Sequence, residues 1–401
     1  MDYINYVKQS PMMGQIGLGG GATSLGMYGG IAEQKCLSST THTDLFGVEK
    51  YTGTGSAVTI NPTNWPDITS EQVAGTTGSG GLYWTKSWDS NDNTGSGSPP
   101  GYGWGMYAPG TTNWGTATGA KITAQLSERG GTMTYPNAIT AWSSTGLTMT
   151  DITFNRSGED NSAFMWKKCP YYMDIVNFNG TGSAQEISHK LDCTPAWMII
   201  KDRGGTSGDS GDWVMYHTSA GTNKHFTLNQ NENIDGSGWD GILTSTSVWN
   251  NTKPDRFKFY VGANDRVNKS GRGYTALLFA GDVAADDFKR FGSGCDEAMI
   301  HTGTYAGNFN SNGPTVTTGF RPRCVMAWCS SEKPWIAGMD SANNASEANL
   351  AYVTFPGNPV GKQNIGEDGN GAWDGASTSF QITVSNSAIN DNTTWYYVAF
   401  R

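Results

Sequence analysis

The chain has 401 residues, 54 of them glycine, with 12% aromatic and 15% charged side chains and a net charge of −9 at neutral pH. The acidic balance and the lack of any Lys/Arg run argue against a nucleic acid or an anionic membrane surface as partner. No apolar stretch approaches the ~18 residues of a membrane span. Fifteen tryptophans exclude a disordered chain, and glycine-rich turns between aromatic runs point to sheet.

Residues 1–46 read as a Gly-rich extended arm. Its backbone carries scattered apolar side chains, among them Met12, Met13, Ile16 and Leu18, which cannot bury themselves alone. They are the candidate assembly contact, and a plain disordered tail stays open beside that reading. The early region is not basic and glycines interrupt its apolar residues, so it is not a secretory signal. Gly17 to Ala22 formally matches the dinucleotide spacing G-x-G-x-x-A, but no strand precedes it and no helix former follows.

From there the chain repeats itself. Gly53-Thr54-Gly55-Ser56-Ala57 returns as Gly180-Thr181-Gly182-Ser183-Ala184, each followed by isoleucine, Ile60 and Ile187. Trp104-Gly105-Met106-Tyr107 matches Trp213-Val214-Met215-Tyr216. Asn155-Arg156-Ser157-Gly158 matches Asn268-Lys269-Ser270-Gly271, each ahead of a hydrophobic strand that includes Trp166 or Phe279. A more diverged third copy carries Gly319 to Pro322, Val325 to Trp328, Trp335-Ile336 and Trp373 to Gly375, the last echoing Trp239 to Gly241. The predicted fold is all-β: three tandem β-sandwich, jelly-roll-like units at 47–170, 171–282 and 283–401, a usual size for sandwich domains.

In the first unit the stretch from Ser87 to Pro109 holds Trp88, Tyr102, Trp104 and Tyr107. These rings can form a sugar-stacking recognition loop or the lid of the sandwich core, the reading preferred. Asp89, Asn91 and Asn93 have the alternating oxygen spacing of a calcium loop, but Gly95 falls one position late and no glutamate closes it, so a solvated turn cluster is preferred. In the second unit a strand over Ala196–Ile200 is expected to end on the charges of Lys201 and Asp202. Phe257, Phe259 and Val261 alternate toward one face, as do Phe380, Ile382 and Val384 in the third. The closing run to Phe400 is expected to pair into its sheet.

Chemistry-bearing residues are sparse. The six cysteines, Cys36, Cys169, Cys193, Cys295, Cys324 and Cys329, show no zinc spacing and read as buried free thiols, with Cys324 and Cys329 on opposite faces of a strand. His217 and His225 have no carboxylate or cysteine at ligand spacing. No nucleophile stands beside a base, and Asp209, Asp212, Glu159 and Asp160 read as ordinary loop acids. No enzyme activity and no cofactor is expected.

The runs Gly180 to Ala184, Pro195 to Lys201, Trp213 to His217, Trp249 to Pro254 and Asn268 to Ala280 together resemble a domain of uncharacterised function. It is repeated in structural proteins of tailed bacteriophages, notably marine and cyanobacterial ones. The match is good for the second unit, fair for the third and partial for the first. The resemblance implies a virion protein assembled in the host cytoplasm, a tail fibre or tail appendage contributing to host attachment. Expected partners are other virion proteins, further copies of the chain (a trimer favoured), and a host surface glycan or protein. The alternatives are a capsid decoration or head-fibre protein and a polysaccharide depolymerase.

Overall fold

Short runs of aromatic and β-branched residues broken by Gly, Asn and Asp favour strands over helices. A computed structural model describes residues 36–61, 66–68, 80–87, 105–107, 122–123, 133–134, 139–149, 155, 157–158, 160–203, 213–228, 242–244, 246–281, 289–310, 312–329, 335–338, 353–354, 378–382, 385 and 390–401. These residues are almost entirely strand and turn, with one four-residue α-helix, Asp265–Asn268, capped by Asn264 Oδ1 on the Arg266 N–H at 3.0 Å. The architecture is all-β, of sandwich type.

The first part of the chain supplies β1 (Phe46–Thr52), β2 (Val58–Ile60), β3 (Gly81–Ser87), β4 (Gly105–Tyr107), β5 (Ile122–Thr123), β6 (Met133–Thr134), β7 (Ile139–Ser143), β8 (Gly146–Met149) and β9 (Asp160–Lys167). The middle supplies β10 (Met173–Asn179), β11 (Gln185–Ser188), β12 (Trp197–Asp202), β13 (Trp213–His217), β14 (Lys224–Thr227), β15 (Ile242–Thr244), β16 (Lys258–Val261) and β17 (Gly273–Phe279). The last part supplies β18 (Ile300–Ala306), β19 (Thr315–Thr317), β20 (Cys324–Trp328), β21 (Trp335–Gly338), β22 (Val353–Thr354), β23 (Ser379–Gln381) and β24 (Thr394–Phe400).

Three large antiparallel sheets result, in the orders β1-β9-β3-β4, β10-β17-β12-β13-β14-β15 and β18-β24-β20-β21-β22. In each, the last strand of its stretch of chain inserts between the first and the third, and the fourth follows the third. Each large sheet is accompanied by a small one, β2-β8-β7, β11-β16 and β19-β23. The small sheets likewise pair the second strand of the stretch with its penultimate one.

Strand alternation divides the first and third large sheets between two clusters, whereas both faces of the second belong to one. In β24, Trp395, Tyr397 and Ala399 pack with Val316 and Phe380 of the third small sheet. Tyr396, Val398 and Phe400 point the other way, into a much larger cluster. Cys324 joins that large cluster and Cys329 the small one, on opposite faces as expected. In β9, Ala163 and Met165 pack on Ile60, Ile139, Leu147 and Met149, while Phe164 and Trp166 join the large cluster. Burial on both faces explains why β12, β20 and β24 are continuous apolar runs.

The large cluster is common to all three sheets. Trp166, Phe279 and Phe400 occupy the same register in their sheets, opposite Phe46, Met173 and Ile300 on one side and Leu82, Trp197 and Cys324 on the other. Their rings form a triangle of edge-to-face contacts with centroids 6.4, 5.5 and 5.7 Å apart. Each such pair contributes about 0.5–1.5 kcal/mol beyond its buried area. Trp328 stacks on Trp197 at 5.8 Å, and His217 meets Trp328 and Tyr396 edge-on at 5.5 Å each. Arg323 donates from Nη1 to the Phe46 carbonyl at 2.9 Å, with its guanidinium over the Phe46 ring.

The strand β12 ends on Lys201 and Asp202 as expected, and both are buried, Lys201 over the Trp213 ring and Asp202 3.6 Å from Arg272 Nη1. Two local expectations change. Phe257 is 58% exposed, whereas Phe259 and Val261 are fully buried. The strand begins only at Lys258, because Asp255 Oδ1 accepts both the Phe257 and Lys258 N–H groups and holds Phe257 in a turn. Finally, Cys36 and Cys295 are joined in a disulfide with Cα atoms 5.5 Å apart, beside the Leu37 N–H to Arg290 carbonyl bond. The other four cysteines are buried and outside any disulfide. Both disulfide partners sit in linkers outside the strands, where sequence spacing carries no signal of proximity. Phe380 and Ile382 are buried as expected, and Val384 lies outside the described residues.

Candidate functional site

The turns at the far ends of the first strands share one construction. After β10, Asn268 is fully buried, and its Oδ1 accepts the Thr181 N–H at 2.8 Å while its carbonyl accepts Gly182 N–H at 2.8 Å. Its Nδ2 donates to the carbonyls of Ser183 at 2.6 Å and Gly262 at 2.8 Å. One carboxamide thus satisfies both a donor and acceptors that a buried turn would leave orphaned. After β1, Asn155 makes the same set: Oδ1 to Thr54 N–H at 2.8 Å, its carbonyl to Gly55 N–H at 2.7 Å, and Nδ2 to the Ser56 carbonyl.

The repeated strings follow from this geometry. Gly182 and Gly55 have φ of 73° and 69°, and a Cβ on either would stand 3.4 or 3.2 Å from the Cβ of Ser270 or Ser157, the serine two residues past the clamp. Gly180 approaches so closely that a Cβ would lie 2.1 Å from the Lys269 carbonyl oxygen.

After β18 the construction recurs with different residues. Asn390, fully buried, accepts Asn308 N–H on Oδ1 at 2.9 Å and Phe309 N–H on its carbonyl at 2.9 Å, and donates from Nδ2 to the Asn310 carbonyl at 2.9 Å. Gly307 keeps the close approach: a Cβ there would lie 1.9 Å from the Asp391 carbonyl oxygen. The sequence reading missed this turn, since Gly307-Asn308-Phe309-Asn310 shares only its first residue with the other two. Phe309 stands where they have glycine, at φ 54° and 47% exposed. A left-handed backbone costs a side-chain-bearing residue about 1–2 kcal/mol.

Of the residues singled out from sequence, Trp88, Tyr102 and Trp104, the Asp89–Gly95 stretch, Met12, Met13, Ile16 and Leu18, and Asp209, Asp212 and Glu159 lie outside the described residues. So do Gly17 to Ala22 and Trp373 to Gly375. Tyr107 ends β4, paired in register with Tyr83, and Asp160 begins β9.

The polar clusters among the described residues hold turns and packing together. Asp192 takes Arg256 Nε and Nη2 on Oδ1 at 2.9 and 2.6 Å and the Tyr171 hydroxyl on Oδ2 at 2.6 Å. Asp255 receives, besides its two backbone donors, the Tyr260 hydroxyl at 2.7 Å. Although burial works against it, these hydrogen bonds hold Asp255 below the usual carboxylate range, and with both oxygens taken by donors it is a poor base. His217 is fully buried, its Nδ1 accepting Ser219 N–H at 3.2 Å and its Nε2 3.1 Å from the Tyr397 carbonyl oxygen. His225 is 3% exposed, and burial, aided by Arg266, pushes it down to about 4. Both histidines lie in the packed interior. Among the described residues no group of three or more His, Cys, Asp or Glu is placed to hold a metal ion.

No curated protein matches the chain. A family model described as a domain of unknown function (DUF7483) matches residues 112–401. That span takes in the later strands of the first sheet pair and all of the other two, and the chain belongs to this family.

Proposed function

We propose that the chain is a non-catalytic structural protein of a tailed-phage particle, a tail fibre or tail appendage contributing to host attachment. It is built as three copies of one sandwich unit, at about 47–170, 171–282 and 283–401, behind an assembly arm at 1–46. The observation that carries the scaffold part is the triangle of Trp166, Phe279 and Phe400, one ring from the same register of each large sheet. Fusing three lobes at one aromatic hub makes a rigid body from which turns project, and rigid scaffolds with variable loops suit recognition. The particle setting rests on the sequence resemblance. Other virion proteins would hold the arm, and a host glycan or protein would meet the loops, with multivalency raising a modest affinity.

The same hub favours a second reading. A single chain with three alike lobes can seat on a threefold axis of a capsid without forming a trimer, as a head decoration protein would. Gold labelling of intact particles with an antibody against residues 171–282 tests both. Gold on the tail is expected; gold spread over the head selects decoration, and unlabelled particles overturn the assignment.

A further inference from the structure

One corner of the third lobe differs from its two counterparts in chemistry while keeping their backbone. At the position of Gly55 and Gly182, this turn carries Phe309, exposed and in the left-handed region. A single exposed aromatic is ordinary on protein surfaces. A bulky ring held in a conformation for which the other copies use glycine is not, because glycine would relieve the strain at no loss of hydrogen bonding.

The ring has chosen neighbours. Asn308, Asn310 and Asn312 are all exposed, and each spends its side-chain oxygen on the loop. Asn308 Oδ1 accepts Asn310 N–H at 2.9 Å and Asn390 Nδ2 at 3.2 Å. Asn310 Oδ1 accepts Asn312 N–H at 3.0 Å, and Asn312 Oδ1 accepts Gln381 Nε2 at 3.0 Å. Backbone donors identify the Asn308 and Asn310 atoms as oxygens, and Gln381 Nε2, which also donates to the Gly313 carbonyl at 3.2 Å, does so for Asn312. The three Nδ2 groups, on exposed residues, have no partner among the described residues. An exposed ring face beside fixed amide donors matches a sugar, whose C–H face packs on an aromatic ring and whose hydroxyl oxygens accept hydrogen bonds. These residues are neutral, with Asp391 the acid of the adjoining turn, so uncharged sugars fit better than sialylated or phosphorylated ones.

We infer that Asn308, Phe309, Asn310 and Asn312 form a binding site for neutral glycans, with Phe309 as the stacking platform and the three asparagines as donors. The site does not depend on the particle assignment, and the isolated full chain tests it.

The probe is a printed array of uncharged oligosaccharides ending in hexose or N-acetylhexosamine, followed by calorimetric titration of the best-bound glycan. The wild-type chain is expected to bind. Phe309→Gly should abolish binding while unfolding at the same or a higher urea concentration, since it restores the residue of the other two copies. Asn310→Asp keeps the oxygen that holds the turn but removes the donor, and should weaken binding by about fivefold, the loss of one hydrogen bond. Phe257→Ala, at the other large exposed ring, should leave binding unchanged. Absence of binding to every uncharged glycan, or full binding by Phe309→Gly, overturns the site, whichever way the particle labelling falls.

Discussion

The carboxamide oxygen of Asn268 accepts the backbone N–H of Thr181 at 2.8 Å across two turns far apart in sequence. Asn155 does the same for Thr54 at 2.8 Å and Asn390 for Asn308 at 2.9 Å. Truncation to alanine orphans the Thr181 donor and the acceptors of Ser183 and Gly262. Asn268→Ala should cost about 2–3 kcal/mol in urea unfolding. Asn268→Asp should cost at least as much, because a carboxylate cannot donate to either carbonyl.

The histidines predict an acid-sensitive fold. His225 is pushed down to about 4 by burial, with Arg266 adding to it. The unfolded chain titrates near 6.5 and binds the proton more readily than the folded one. The stabilising contribution is therefore complete above pH 6.5 and lost as pH falls toward about 4, a difference on the order of 3 kcal/mol. Burial lowers His42, His189 and His301 in the same direction. Asp255, held below its ordinary value, adds its loss only at lower pH. Unfolding by urea at pH 7.5 and 5.0 should show the drop, and His225→Phe should shrink it.

The Cys36–Cys295 bridge spans 259 residues of sequence. Closing so long a loop constrains the unfolded chain, and its removal should cost about 4 kcal/mol. Thiol titration of the denatured protein should count four free cysteines before reduction and six after. Six before reduction would place the two thiols side by side unbonded, the state expected inside a reducing cytosol.

Much of the fold was legible because the turn strings are physical requirements. Gly182 is needed for a positive φ and for room beside the Ser270 side chain, so both strings persist between the turns at Gly55 and Gly182. The third turn was not legible, because Asn308, Phe309 and Asn310 reach the same backbone path with other side chains. The hub was hidden for a different reason. Alternation shows that Trp166 shares a face with Phe164 and Phe400 with Val398, but not what lies against that face. Two-sided burial was readable in the continuous run of β12, whereas its partner across the hub was not. Phe257 shows the opposite failure, since period-two spacing gives no sign of where a strand begins.

The shared hub is tested most directly by hydrogen exchange measured by mass spectrometry on Phe279→Ala. Loss of the ring should cost about 3–5 kcal/mol. If the three sheets form one core, protection falls in peptides covering 160–167 and 394–400 as well as 273–279. Deprotection confined to the sheet that holds residue 279 would contradict the common hub and leave three sandwiches that merely adjoin.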